Sequence, residues 1–354
     1  MVFNSNGKTF LNHFTINGIC IETVDKYCYL GINLKCNGKF NLAAAQLVDK
    51  ARKALFKIKK TLGIHHSCRL LEKLFDAMVI PILLYGSEIW GIESVLKNLG
   101  PASYEKFHVK FLKQILGVHC KTSNNACYSE LGRLPVRSKI IMFAIKYLDH
   151  LISLEHTLAH DIFIKTKETN TWSMYMKTCL NNLGFSYLTN FNVSLKPVLG
   201  IVKQRIHDQI LQEQNASVRN SSKLSFYRNF CLNNKRAHYV DKLESLHDRS
   251  FLAKIRLSAH NLEIEKGRYI EINKNDRLCK ICQNTDIENE KHFILHCPKY
   301  EAQRKTFLTR LSTFPTFKQT IHDNDNLFKL LMKTSCKRVF KISSFLCQIS
   351  DSYE

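Results

Sequence analysis

Between residues 279 and 297 the chain reads CKIC…HFILHC, and no other stretch limits its folding as tightly. Cys279 and Cys282 form a C-x2-C pair. After nine intervening residues comes His292, followed by x4 and Cys297. A C-x2-C turn offers two thiolates from one knuckle, and a distant His/Cys pair can close a tetrahedron around a soft or borderline cation. His296 competes with His292 for the fourth place. With thirteen cysteines in the chain, about half a C-x2-C pair is expected by chance. The weight therefore falls on the ordered set of four. Such a shell leaves no open position, so the expectation is one structural zinc that serves folding and not catalysis.

An odd number of cysteines fits reduced thiols better than a disulfide framework. Met1–Phe10 has neither a basic start nor an apolar run, which reads as no secretory signal. The most apolar stretch, Ala77–Tyr85, is too short for a membrane span and contains Pro81. The chain is therefore expected to be intracellular, with nucleus or cytoplasm undecided and no membrane partner.

In 354 residues, 45% are hydrophobic, enough for a sizeable core, while Gly (13) and Pro (6) are scarce. That balance predicts a mostly α protein. Lys and Arg total 52 against 30 Asp and Glu, a formal charge of +22. A polyanion is the expected partner, RNA or DNA before a membrane. A-rich coding sequence would bias composition the same way.

Residues 10–34 read as strands. Asn17-Gly18 joins two β-prone runs in FTINGICIET, a strong hairpin signal. A second strand is expected at Tyr27–Leu34 and a turn at Asn37-Gly38. The period then becomes helical. Residues 42–62 place Ala44, Leu47, Ala51, Ala54, Leu55, Ile58 and Leu62 on one face. Residues 68–85 bury Leu70, Leu71, Leu74, Phe75, Met78, Val79 and Ile82, with Pro81 bending or ending the helix. A helix from Pro101 to Leu116 stops at Gly117. Another, 137–155, carries Ile140, Ile141, Ala144, Ile145, Leu148 and Leu151. Polar runs break the helical period at 168–171 and at 214–222, the latter being the best linker candidate. After 305 the tail is helical, then polar, then apolar and helical again.

Helix 42–62 also carries Lys50, Lys53, Lys57 and Lys60 at i, i+3, i+7 and i+10, with Arg52 and Lys59 on the flank. Four ammonium groups over ~15 Å of helix match the spacing of phosphates along a nucleic-acid backbone. The solvated face of a core-packing helix would look similar, but no acidic residue is expected to interrupt this one. Residues 226–239 interleave Phe226, Tyr227, Phe230 and Tyr239 with Arg228, Lys235 and Arg236. This pattern suits base stacking or an ordinary amphipathic helix. There is no P-loop, G-x-S-x-G, GxGxxG after a strand, H-E-x-x-H or adjacent Asp-Asp pair. No catalytic residue is therefore assigned.

Several phrases carry a resemblance. VDKYCYLGINL (24–34), PILLYGSEIWG (81–91), FHVKFLKQILGV (107–118) and YSELGRLPV (128–136) resemble the region after the catalytic palm in reverse transcriptases of non-LTR, LINE-type retrotransposons. KIRLSAHNLEIEKGRY (254–269), DRLCKIC and ENEKHFILHCPKY resemble the C-terminal end of the same polyproteins, an arginine-rich lead-in followed by a Cys-Cys-His-Cys knuckle. The resemblance covers about residues 2–305, in order. It implies a palm-end and primer-grip hairpin (1–36), a thumb-like helical domain (37–156), a helical connector (157–250), a zinc-knuckle domain (251–305) and a helical tail (306–354). It assigns the lysine stripe to a template–primer duplex. It also adds Arg268 and Arg277, from the lead-in, to the nucleic-acid contacts.

The family's Phe/Tyr-Ala-Asp-Asp turn and its upstream Asp would both precede Met1, with MVFNSNGK resembling the strand and turn just after that site. Polymerisation needs carboxylates that hold two Mg2+ ions. The expectation is thus a truncated fragment without a Mg2+ site, a non-catalytic RNA/DNA-binding protein. The alternatives are the tail of an RNA-directed DNA polymerase encoded upstream, or an inert structural remnant. Without a palm, Leu30, Ile32, Leu83 and Trp90 are expected to expose apolar surface.

Overall fold

The computed structural model describes residues 1–3, 14–63, 66–97, 102–229, 235–282 and 286–333. Residues 4–8 of the expected start, Pro101 and the tail after 333 lie outside the described residues. The described chain is mostly helical, with two small antiparallel hairpins. It divides into two compact units. The first comprises Met1–Thr61, Leu74–His108 and Pro135–Ile210; the second comprises Leu62–Lys73, Val109–Leu134 and Leu211–Glu354.

In the first unit, Phe14–Ile16 pairs with Ile19–Ile21 across Asn17 (φ 50°) and Gly18 (φ 80°). Two successive left-handed residues match the twist of a two-residue hairpin, as the Asn-Gly signal predicts. Residues 27–34, a single strand by their pattern and a hairpin by the resemblance, form a hairpin. Lys26–Tyr29 pairs with Ile32–Lys35 across Leu30 (φ 47°) and Gly31 (φ 79°). Leu rarely adopts positive φ, so the turn has no compositional signal. The Tyr85 hydroxyl donates to the Leu30 carbonyl (3.1 Å), and Ile32 lies where a Cβ on Gly86 would sit.

The helix Asn41–Leu62 buries Ala43, Leu47, Val48, Ala51, Leu55 and Ile58, close to the expected stripe. The next helix departs from expectation. Cys68–Leu74 runs into a π-turn, Phe75–Val79, and then Ile80–Leu83. The extra residue rotates the helix beyond it. Leu71, Phe75, Val79, Ile80 and Leu83 are buried, whereas Leu70 and Met78 are exposed and Ile82 is half-buried. Leu30 is exposed and Ile32 half-buried, but Leu83 and Trp90 are not the exposed apolar surface expected. Leu83 is fully enclosed, and the Trp90 indole is buried with its Nε1 donating to the Tyr85 carbonyl at 2.9 Å.

Ser87–Leu96 packs on Arg137–Ser153 so closely that Ile140 Cγ2 lies 2.5 Å from where a Gly91 Cβ would be. Arg137–Ser153 buries Ile140, Ala144, Ile145, Leu148 and Leu151 as expected, and Ile141 is half-buried. The break at 168–171 is real: Thr171–Asn182 begins there, capped by the Asn170 side chain. The linker at 214–222 is not. Leu199–Asn220 is one helix, and Val202, Ile206, Ile210, Gln214 and Val218 are buried along it. That four-residue step keeps the polar run in register with a buried face, and it outweighs the weak helix propensity of Asn and Ser.

The second unit holds a buried ionic core. Glu130, on Asn124–Leu131, and Arg256, on Leu246–Arg256, form an enclosed pair with two hydrogen bonds. The Tyr227 hydroxyl donates to Glu130 at 3.0 Å, and the Arg256 guanidinium lies over the Tyr239 ring. Arg249, fully buried, donates to the carbonyls of Ile115, Leu243 and Glu244. Among the described residues, no single helix is long and apolar enough to cross a membrane.

Candidate metal centre and basic face

The knuckle begins where Leu278 and Ile287 form an isolated antiparallel bridge, with the Cys279 N–H donating to the Asp286 carbonyl at 3.0 Å. This pairs the residue before Cys279 with a residue inside the nine-residue gap, so Cys279 and Cys282 lie on the chain between the two bridged residues. His292 opens a π-turn, His292–His296, and its N–H is capped by the Asn289 side chain at 2.8 Å. The Cys297 N–H returns to the His292 carbonyl at 2.7 Å. Arg304 donates to the carbonyls of Ile294 and Cys297, fixing the far side of the turn.

The ligand atoms of Cys279, Cys282, His292 and Cys297 lie within 4.8 Å of one another, and all but Cys282 are buried. A zinc tetrahedron with Zn–S of about 2.3 Å has edges near ~3.8 Å. The cluster could therefore hold one metal ion. His292 points Nε2 at the Cys282 sulfur (3.5 Å), and its Nδ1 is 3.7 Å from an Asp286 carboxylate oxygen. That is the outer-shell arrangement that orients a metal-bound imidazole. His296, the competing ligand, is exposed and outside the cluster. Burial pushes the Cys279 thiol up to about 12, raises that of Cys297 and holds the His292 imidazole below its ordinary value. A neutral imidazole is the ligating form, and a dication supplies the charge that buried thiolates need.

On Asn41–Leu62, Lys50, Arg52, Lys53, Lys57 and Lys60 are exposed and Lys59 is half-buried. Lys50 reaches the Gly31 carbonyl at 3.4 Å. Asp49 does meet the flank of the stripe, pairing with Arg52 at 2.6 Å. Among the described residues, Lys53, Lys57 and Lys60 make no ion pair. Phe56 stands between Lys53 and Lys60 with 66% of its surface exposed. Sequence reasoning missed it, although a lone Phe on the polar face of an amphipathic helix was the available signal.

Arg268 and Arg277 are placed differently from the stripe. Arg277 donates to the Ile264 and Ile272 carbonyls and lies against Gly267, where a side chain would collide with it. Arg268 pairs with Glu265 and Ser222, each at 3.1 Å. The base-stacking reading of 226–239 does not hold for its tyrosines. Tyr227 and Tyr239 are buried in the ionic core, Phe226 packs on Phe328, and Arg236 is held by Glu72 and Asp241. Alternation of aromatic and basic residues here serves packing. Phe230 lies outside the described residues.

No family model, curated protein or solved structure matches the chain.

Proposed function

We propose that this chain binds RNA or DNA through its phosphate backbone and performs no chemistry of its own, as a thumb-and-knuckle segment like that of LINE-type reverse transcriptases. One observation carries the reading. Lys50, Lys53, Lys57 and Lys60 stand in solvent along one helix face, with Phe56 among them to stack an unpaired base. The ordered resemblance along the sequence supports the family, and the net charge of +22 supports the polyanion. The metal is zinc, because three thiolates and one imidazole select a borderline-soft tetrahedral ion over Mg2+ or Ca2+. Its place is structural, since all four positions are filled by protein.

The test is fluorescence anisotropy of the full chain with labelled single-stranded RNA and a DNA–RNA duplex over a salt series. Binding with little sequence preference and a steep loss of affinity with salt is expected. A stably folded protein without affinity at physiological salt would overturn the reading and favour a structural remnant.

A further inference from the structure

In the second unit a cavity of about 400 Å3 is lined by three lysines, Lys121, Lys223 and Lys254, and by an apolar floor that includes Phe251 and Phe293. Its volume is in the range of ligand pockets, about 300–1,000 Å3. Lys121 and Lys254 are exposed and Lys223 is half-buried, so the charges lie toward solvent and the two rings lie inside. Lys121 and Lys223 place their ammonium groups 5.5 and 5.7 Å from the centre of the Tyr269 ring, and Lys223 is 3.3 Å from the Tyr269 oxygen. Two like charges therefore share one exposed aromatic ring.

Among the described residues, none of the three lysines has a carboxylate within ion-pair distance. Glu265 is the one carboxylate among the lining residues, and it is 3% exposed, with one oxygen accepting from Arg268 at 3.1 Å. Glu290 is buried against the lining residue His260, 3.1 Å from its Nε2. A fourth cation adds to the cluster. Lys113 is buried and donates at 2.6 Å to the carbonyl of Cys120, the neighbour of Lys121 in the chain. Burial holds its ammonium below the ordinary value, and the charge of Lys223 acts in the same direction. Like charges gathered without counter-charges repel one another, and an anion among them relieves that repulsion.

The guest must satisfy the lysines and the floor together. Inorganic phosphate would meet the lysines and leave the two rings against water. A carboxylate on an apolar body would meet the rings but bring a single charge to three cations. A phosphomonoester meets both. It carries about −1.5 to −2 charges at neutral pH and three acceptor oxygens, and its one substituent can enter the cavity. Lysine binds phosphate as a point charge, so the three side chains need no fixed fork geometry. We propose that this cavity binds a phosphomonoester, its phosphoryl group at Lys121, Lys223 and Lys254 and its apolar body against Phe251 and Phe293. The source is either a free small phosphomonoester or the 5′-phosphate end of a bound strand; the second source rests on the nucleic-acid-binding reading above.

Binding of phenyl phosphate, inorganic phosphate and benzoate to the full chain is measured by calorimetry. Binding of one short single-stranded RNA, with either a 5′-phosphate or a 5′-hydroxyl, is measured by the anisotropy of a label at its other end. Variants are Ala259→Trp, which fills the cavity from a half-buried wall position, and the double Lys121→Ala/Lys223→Ala. Circular dichroism and metal content confirm that each variant folds. Phenyl phosphate is expected to bind about tenfold more tightly than inorganic phosphate or benzoate, and both variants are expected to lose that binding. If the 5′-phosphate strengthens RNA binding about tenfold and both variants erase the difference, the strand end is the source, whether or not phenyl phosphate binds. If phenyl phosphate binds and the two RNAs bind equally, a free phosphomonoester is the source. If phenyl phosphate binds and neither RNA does, the cavity stands and the nucleic-acid-binding function falls. Equal affinity for phenyl phosphate, inorganic phosphate and benzoate, or binding that survives either variant, overturns the cavity proposal. So does RNA binding that ignores the 5′ end with no binding of phenyl phosphate, which leaves the nucleic-acid-binding function intact; no binding of any probe overturns both.

Discussion

On the helix Asn41–Leu62 the cations are lysines apart from Arg52, and they stand in water: Lys53, Lys57 and Lys60 are exposed on the face opposite Leu47, Ala51, Leu55 and Ile58. The second unit also carries many cations, but there arginines do most of the internal work, with Lys113 the buried lysine that donates to the Cys120 carbonyl. Arg249 and Arg256 are buried, and Arg277 is closed onto backbone carbonyls. The chemistry explains the division. A guanidinium is planar, weakly hydrated and able to satisfy several acceptors at once, whereas an ammonium is strongly hydrated and costly to bury. A surplus of positive charge therefore does not measure a binding surface. In this chain the surplus is divided between a solvent-facing stripe and a skeleton.

The largest effect that could break this comparison is loss of the metal. Elemental analysis of the purified chain is expected to give one zinc per molecule, and Cys279→Ser to give none, with segment 277–304 losing its protection from proteolysis. Structural zinc sites carry much of the folding free energy of small domains. A metal-free wild-type protein with the same protection would remove the knuckle from the skeleton.

Next in size is the buried ion pair. Arg256→Met strands Glu130 in the core and is expected to destabilise by about 3–5 kcal/mol, read by urea unfolding. Adding Glu130→Gln should recover part of that loss, because the uncompensated charge is gone. Strict additivity of the two changes would show that the pair does not act as a unit.

The smallest effect concerns Asp241. Burial pushes its carboxyl up, but the hydrogen bonds and charges of Arg69 and Arg236 outweigh this and hold it below its ordinary value. A depressed folded value contributes stability above the unfolded value, near 3.8, which is lost as the pH falls through the folded one. Asp241→Asn should abolish that acid-side loss, an effect below about 1 kcal/mol after solvent screening. An unchanged acid limb would show that the Arg69–Asp241–Arg236 contacts are surface decoration.

Much of this was legible beforehand where a local rule has only one reading. Asn17-Gly18 gave the first hairpin, the 3.6-residue period gave Asn41–Leu62 and Arg137–Ser153, and the cysteine spacing selected a four-ligand cluster that the fold assembles. The failures have physical causes. Leu30-Gly31 turns although Leu disfavours positive φ. The π-turn at Phe75–Val79 inserts a residue that no periodicity shows, so beyond it Ile80 and Leu83 are buried while Met78 is exposed. Gln214 and Val218 continue a buried face through a run that reads as polar. Tyr227 and Tyr239 looked like a stacking platform because sequence cannot distinguish a ring beside an arginine in water from one beside Arg256 in a core. That distinction depends on Glu130, about a hundred residues away in the chain, and contacts at such separation leave no local signal.

The most direct test of the division is the salt dependence of binding in the variant with Lys50, Lys53, Lys57 and Lys60 all changed to Glu. For a single strand, the slope of log affinity against log salt scales with about 0.7 per neutralised phosphate. The account predicts a shallower slope by about 3 together with weaker binding, while zinc content and unfolding remain as in the wild type. An unchanged slope and affinity would contradict it, because the stripe would then be only the solvated side of a core helix.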